Sequence, residues 1–201
     1  MISGLSPGLY RFCRCLAGQT FERLYRLEVQ GLEYVPAQGP VILCPKHQRW
    51  EDILVVALAL PRPLHYIAKV ELFQRPFIRD FLRGLGAVPV DRQSRKSTLS
   101  SFRALLPLLK QQAAIVVFPE GTYVQGGVGP GKHRLLQLLL KLKSVNGLGS
   151  LPFVPMGVAY RPCKVGYNVS VRIGPPLTVP AAREALSLTQ ALMAEIARLS
   201  A

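Results

Sequence analysis

The sequence predicts a single α/β domain built on a largely parallel central sheet, flanked by helices and preceded by an amphipathic helix. Three observations predict it. Short apolar runs alternate with helical patterns along most of the chain, the signature of strands joined by crossover helices. Several of these runs are continuously apolar, as expected for strands buried on both faces. The length of 201 residues suits one domain, and 49% hydrophobic residues supply its core. The organisation expected is an amphipathic segment over residues 1–26, at a membrane interface, and the main domain over 27–201.

In chain order, the first element is the N-terminal segment. Leu5, Leu9, Phe12 and Leu16 share one helical face, with Arg11 and Arg14 placed on the other side. Such a helix either packs on the domain or lies in a membrane interface. Strands are expected at Leu27–Val35, Val41–Cys44, His65–Ala68, Ala87–Val90, Ile115–Phe118, Phe153–Ala159 and Val169–Ile173. Helices are expected at Asp52–Leu60, Val70–Leu85, Thr98–Gln112, Lys132–Lys143 and Leu188–Leu199. Pro76 and Pro107 fall inside two of these helices and predict a kink or split in each. Ser187 to Gln190 has the spacing of a capping box for the last helix. Tyr123–Gly131 holds four glycines and a proline directly after a strand. It is either a mobile surface loop or an active-site loop, since ligand sites lie beyond the carboxyl ends of strands in open α/β sheets.

Lys and Arg number 25 against 11 Asp and Glu, a formal charge of +14. The expected partners are therefore anionic: nucleic acid, a membrane surface or a phosphorylated substrate. No apolar stretch approaches the roughly 20 residues of a spanning helix. Arg11 and Arg14 interrupt what would be a signal peptide's apolar core. Cys13, Cys15, Cys44 and Cys163 form no CxxC pair and read as free thiols in a reducing compartment. The expected location is cytoplasmic, peripheral to a membrane.

Three strand ends deliver polar groups. Cys44-Pro-Lys-His-Gln-Arg-Trp-Glu-Asp52 places His47 on a strand-to-helix connection and Asp52 in the first turn of the next helix. If the chain curls back, the carboxylate accepts from one imidazole nitrogen and leaves the other as a base. The plain alternative is an N-cap carboxylate beside an unrelated loop histidine. Val116-Val-Phe-Pro-Glu-Gly-Thr122 runs a buried strand into Glu120 and Thr122, and Gly86-Ala-Val-Pro-Val-Asp-Arg92 ends another at Arg92. A guanidinium there is able to grip phosphate, although pairing with Asp91 or solvation is the commoner fate. His65 and His133 read as structural or solvated.

Taken together, these blocks resemble the glycerolipid acyltransferase family, best known for 1-acyl-glycerol-3-phosphate (lysophosphatidic acid) acyltransferases. His-x4-Asp appears as His47–Asp52 and Gly-x-x-Pro-x-x-Arg as Gly86–Arg92. Phe-Pro-Glu-Gly-Thr appears as Phe118–Thr122 and the Val-Pro block as Val154–Pro155, so the resemblance spans about residues 32 to 160. It implies that His47 deprotonates the acceptor hydroxyl, which attacks the thioester of acyl-CoA or acyl-carrier protein, with Asp52 orienting His47. It implies that Arg92, Glu120, Gly121 and Thr122 hold the glycerol-phosphate head, with Lys132 as a further phosphate contact. Val154 and Pro155 would line or support the acyl region. It implies no cofactor and no metal. The partners implied are lysophosphatidic acid or a related lysolipid, the acyl donor and an anionic membrane.

The chain departs from the family pattern at three places. Lys46 stands where Asn is common, Arg49 where Ser or Thr is common, and Tyr123 where Arg often follows Glu-Gly-Thr. These bear on the acceptor more than on the reaction, so glycerol-3-phosphate, another lysophospholipid or a lysoglycolipid stays open. Two other classes compete. Cys44, three residues before His47, would make a Cys-His hydrolase, but an apolar strand end favours a buried, inert thiol. Nucleic-acid binding rests on charge alone, with no recognised reading motif.

Overall fold

A computed structural model describes residues 4–91, 95–145 and 147–201. The sheet has seven strands in the order β1-β7-β6-β2-β5-β3-β4. The strands are β1 (Tyr25–Gln30), β2 (Val41–Pro45), β3 (Leu64–Lys69), β4 (Ala87–Val90), β5 (Ala114–Val116), β6 (Phe153–Pro162) and β7 (Tyr167–Ile173). All neighbours are parallel except the β6–β7 hairpin. Five strands therefore end at one edge, and β1 with β7 run the other way. The hairpin turns through Gly166 at φ +82°, where a Cβ would meet the Leu24 backbone, so only glycine fits.

Helices α1 (Pro7–Leu24), α2 (Asp52–Ala59) and α3 (Pro76–Gly84) form one layer, with α1 contacting both others. The crossovers β2–α2–β3 and β3–α3–β4 both step in the same direction along the sheet, which puts them on one face. Helices α4 (Arg95–Arg103), α5 (Leu106–Lys110), α6 (His133–Val145) and α7 (Ala185–Ser200) belong to return crossovers and the C-terminus, and cover the other face. The alternating residues of β2 show the division. Val41 and Leu43 pack with Val55, Val56 and Phe21, while Ile42 and Cys44 pack with Phe102, Leu139 and Leu192.

The structure shifts some expected boundaries. The first strand ends at Gln30, not Val35, because Gly31 turns left-handed at φ +82° into a 3-10 turn over Leu32–Tyr34. The helix expected over Val70–Leu85 divides into a 3-10 turn, Val70–Phe73, and α3, and Pro76 opens α3. The one expected over Thr98–Gln112 divides into α4 and α5 near Pro107. A proline sits comfortably in a first turn, where its missing N–H has no partner to lose. The capping box at Ser187 does not form. A 3-10 turn over Ala182–Glu184 leads into α7, whose first residue is Ala185, and the Ser187 hydroxyl donates instead to the Glu184 carbonyl at 2.9 Å.

The N-terminal helix forms, but Arg14 is not on its solvent side: its guanidinium donates to the Leu58 carbonyl at 3.3 Å. Tyr10 and Phe21 are buried against the domain, whereas Phe12 and Leu16 are exposed. Among the described residues no helix is long and apolar enough to cross a membrane.

Candidate active site

The ends of β2, β5 and β6 meet at one edge of the sheet, and the side chains there are held by an unusually dense set of hydrogen bonds. The chain leaving β2 curls so that the Asp52 carboxylate faces back across it. Asp52 Oδ2 accepts the Gln48 and Arg49 backbone N–H groups at 2.6 and 2.8 Å, and lies 3.1 Å from His47 Nδ1. The carboxylate is fully buried. The His-x4-Asp spacing works because the intervening turn folds around the carboxylate. Capping the loop and orienting the imidazole are the same act.

The other oxygen, Oδ1, accepts the Tyr160 hydroxyl at 2.7 Å. Burial, together with this carboxylate, pushes the Tyr160 phenol well above its usual range, so it remains a donor at neutral pH. Register explains its reach. Pro45, the last residue of β2, pairs with Met156 of β6, and β6 runs on past that point, carrying Tyr160 out over the loop. The Gln48 side chain ties the same loop to the Val158 carbonyl at 2.8 Å.

The His47 ring lies between two aromatics: Phe118, stacked at a centroid distance of 3.7 Å, and Tyr123, tilted at 4.3 Å. Its backbone is fixed too. Glu120 Oε2 accepts the His47 N–H at 2.8 Å, and the His47 carbonyl accepts from Val124 N at 2.9 Å. Glu120 Oε1 accepts Gly129 N–H at 2.8 Å, and Lys46 Nζ lies 2.9 Å from the same carboxylate. Lys46 completes its three donors on the Val124 and His47 carbonyls at 2.7 and 3.2 Å. Lys46 and Glu120 are both about 2% exposed.

The glycine-rich segment is therefore tied by hydrogen bonds to the candidate site rather than a free loop. Val124 and Gly129 bind the His47–Glu120 centre, Lys132 N binds the Pro119 carbonyl at 2.8 Å, and a Cβ on Gly131 would run into Thr189 and Met193.

The structure brings His47, Asp52, Glu120, Gly121, Thr122 and Lys132 to this one edge. Gly121 takes φ +71° with the Lys132 stem against it, and Thr122 and Lys132 are exposed. Glu120 is not a solvated turn residue, since both its oxygens are engaged. Val154 and Pro155 are buried residues of β6, paired with Leu43 and Cys44, a position that leaves them to support the edge from within rather than to line its surface. Arg92 lies outside the described residues.

No pattern in the sequence marks Tyr160, and Lys46 stands out there only as a departure. A tyrosine closing an apolar run is a weak signal, and a lysine beside the histidine gives no hint of a carboxylate 74 residues away. Arg49, the other departure, lies 4.6 Å over the Tyr167 ring and 5.1 Å over Tyr160, with Glu51 at 3.7 Å. Its cation is thus directed toward an aromatic wall. Cys44 is fully buried, and burial pushes its thiol up well out of the reactive range.

The acyltransferase family profile matches residues 26–159. The chain belongs to the acyltransferase family. It is 30% identical to the 1-acyl-sn-glycerol-3-phosphate acyltransferase of Bacillus subtilis, over 73% of this chain and 69% of that one. It is 31% identical to the Pseudomonas aeruginosa enzyme of the same name, over 76% of this chain and 59% of that one. It is 26% identical to the lyso-ornithine lipid O-acyltransferase of Rhizobium meliloti, over 71% of this chain and 46% of that one. Its fold is that of the crystal structure of the lysophosphatidic acid acyltransferase PlsC from Thermotoga maritima. The TM-score is 0.71 at 22% identity, with 96% of this chain and 80% of that one covered. The matched region holds His47, Asp52, Glu120, Gly121 and Thr122, gathered at one sheet edge.

Proposed function

We infer that this acyltransferase moves a fatty acyl group from an acyl thioester to the free hydroxyl of 1-acyl-glycerol-3-phosphate, giving phosphatidic acid. The observation that carries the reading is the buried Asp52 carboxylate 3.1 Å from His47 Nδ1. With a proton on Nδ1 directed at Asp52, Nε2 has a lone pair for the acceptor hydroxyl. As Nε2 takes the proton, the oxygen attacks the thioester carbonyl. The tetrahedral intermediate then collapses, the C–S bond breaks, and the imidazolium returns its proton to the departing thiolate. The histidine ends as it began.

Glu120 and Lys46 act by fixing the His47 backbone and the glycine loop, which places Glu120 behind the head-group site. Lys132 and Thr122, both exposed at this edge, are the groups that would meet the glycerol-phosphate head, with Arg92 and Gly121 assigned there by the family resemblance alone. The donor is acyl-CoA or acyl-carrier protein, both of which bring anionic groups to a chain of charge +14. The enzyme works peripherally on an anionic membrane, where its acceptor resides.

One observation favours a second acceptor class. Tyr123 stands where the family often has an arginine and lies on the His47 ring, and the similarity to a lyso-ornithine lipid O-acyltransferase supports a different head group on the same chemistry. The test is purified protein assayed against lysophosphatidic acid, glycerol-3-phosphate, a lysophospholipid and a lyso-ornithine lipid, each with acyl-CoA and acyl-carrier protein. The highest kcat/KM is expected with lysophosphatidic acid. Preference for another acceptor would replace the substrate, and thioester hydrolysis without transfer would overturn the reading.

A further inference from the structure

An amphipathic helix ordinarily buries its apolar sector and exposes its charged one. Helix α3 does not. Phe77 is 82% exposed, and Ile78 and Phe81 are each 40% exposed. Phe77 and Phe81 are four residues apart and Ile78 is three before Phe81, so all three share one side of the helix. Its contact with α1 is made instead through Gly84, against which the Leu9 side chain lies.

The neighbouring helix extends this surface. α1 starts beside the far end of α3, where Ser6 N binds the Gly84 carbonyl at 2.9 Å, and it ends at Tyr25 on the catalytic edge. It therefore runs antiparallel to α3, and its exposed Phe12 (65%) and Leu16 (51%) rise along the layer toward the same edge as Phe81 and Phe77. At that edge Trp50, three residues from His47, is 64% exposed. Exposed apolar side chains gathered on one layer mark an interaction surface. Arg11, Arg75 and Arg83 are exposed along these two helices, while the exposed carboxylate of α3, Asp80, is paired with Arg79 at 2.8 Å. The layer thus carries a net positive charge beside its apolar side chains and suits an apolar, anionic ligand.

We propose that the α1–α3 layer, led by Phe77, Ile78 and Phe81, docks on an anionic lipid bilayer and presents the His47 edge to it. This deepens the functional reading above and rests on it, since a lipid acceptor must reach His47 from a membrane. Phenylalanine and tryptophan enter the acyl–head-group boundary while arginines meet lipid phosphates. The docking surface is thus not the N-terminal helix alone, and α3 is its principal part.

The test uses the full chain in sedimentation with phosphatidylcholine vesicles, with and without phosphatidylglycerol. The variants are Phe77→Ser with Phe81→Ser, and Leu186→Ser as an exposed apolar control on the other layer. Wild type and Leu186→Ser should bind the phosphatidylglycerol vesicles more tightly than phosphatidylcholine alone. The double variant should lose on the order of tenfold or more in binding. It should keep its rate on water-soluble, short-chain donor and acceptor. Unchanged vesicle binding in the double variant would overturn the proposal. So would a wild-type dimer that the double variant converts to monomer, which would assign the surface to a second copy. A chain that docks through Phe77 and Phe81 yet transfers no acyl group would keep the docking surface and reject the proposed reaction.

Discussion

The Tyr160 hydroxyl donates to Asp52 Oδ1 at 2.7 Å, the oxygen that His47 leaves free. The two residues are 108 positions apart, and only the overrun of β6 beyond β2 joins them. Tyr160 is thereby a positioning residue acting on His47 through Asp52. Tyr160→Phe keeps the ring under Arg49 and removes the donor. A hydrogen bond to a charged group contributes about 1.5–3 kcal/mol. The expected result is kcat lower by roughly tenfold or more with KM nearly unchanged. A variant whose KM rises while kcat holds would place Tyr160 in substrate binding instead.

Lys46 and Glu120 form a buried pair in which every Lys46 donor and both Glu120 oxygens are used. Removing one partner strands the other charge, at a cost of roughly 3–5 kcal/mol. Lys46→Met and Glu120→Gln should each lower stability in urea unfolding. The combined variant should lose less than the two separate losses added together, because the two sites share one interaction. Simple additivity would mean that the pair does not act as a unit.

The strands and their order of appearance were readable because continuous apolar runs leave little else for them to be. The two prolines announced the splits of the second and third expected helices. What the sequence did not carry was anything fixed by register or by a distant partner. Tyr160 gains meaning only when Pro45 pairs with Met156. Lys46 looks like a lost asparagine until Glu120 arrives beside it. Arg14 falls opposite the apolar stripe on a helical wheel, but a wheel does not show that α2 offers a carbonyl to that opposite side. His47 and Asp52 were legible because their contact is local and built from a single turn.

His65 makes acid sensitivity a property of the fold. It is buried, its Nδ1 lies 3.1 Å from the Gly86 carbonyl, and burial lowers its pKa. The fold prefers the neutral ring, so the unfolded chain binds the proton more readily. His65 therefore costs nothing above the unfolded value of roughly 6.5 and destabilises progressively below it, until the lowered folded value is reached. Thermal unfolding followed from neutral pH to about pH 5 should show a shallower loss in His65→Gln than in wild type. Parallel curves would show that His65 is not responsible.

Cys44 provides the contrast to His47. Its thiol is enclosed among Ile42, Phe153 and their neighbours, and burial keeps it protonated. Cys44→Ala should retain transfer, and iodoacetamide should leave Cys44 unmodified in the folded protein. An acyl group found on Cys44 by mass spectrometry would contradict the general-base account.

In the proposed reaction His47 Nε2 removes the acceptor proton. The most direct test of this step is phosphatidic acid formation from a labelled acyl thioester and lysophosphatidic acid, comparing wild type with His47→Ala. The expected result is a loss of roughly 10²–10⁴-fold in kcat with vesicle binding preserved. Transfer at the wild-type rate in His47→Ala would contradict that role.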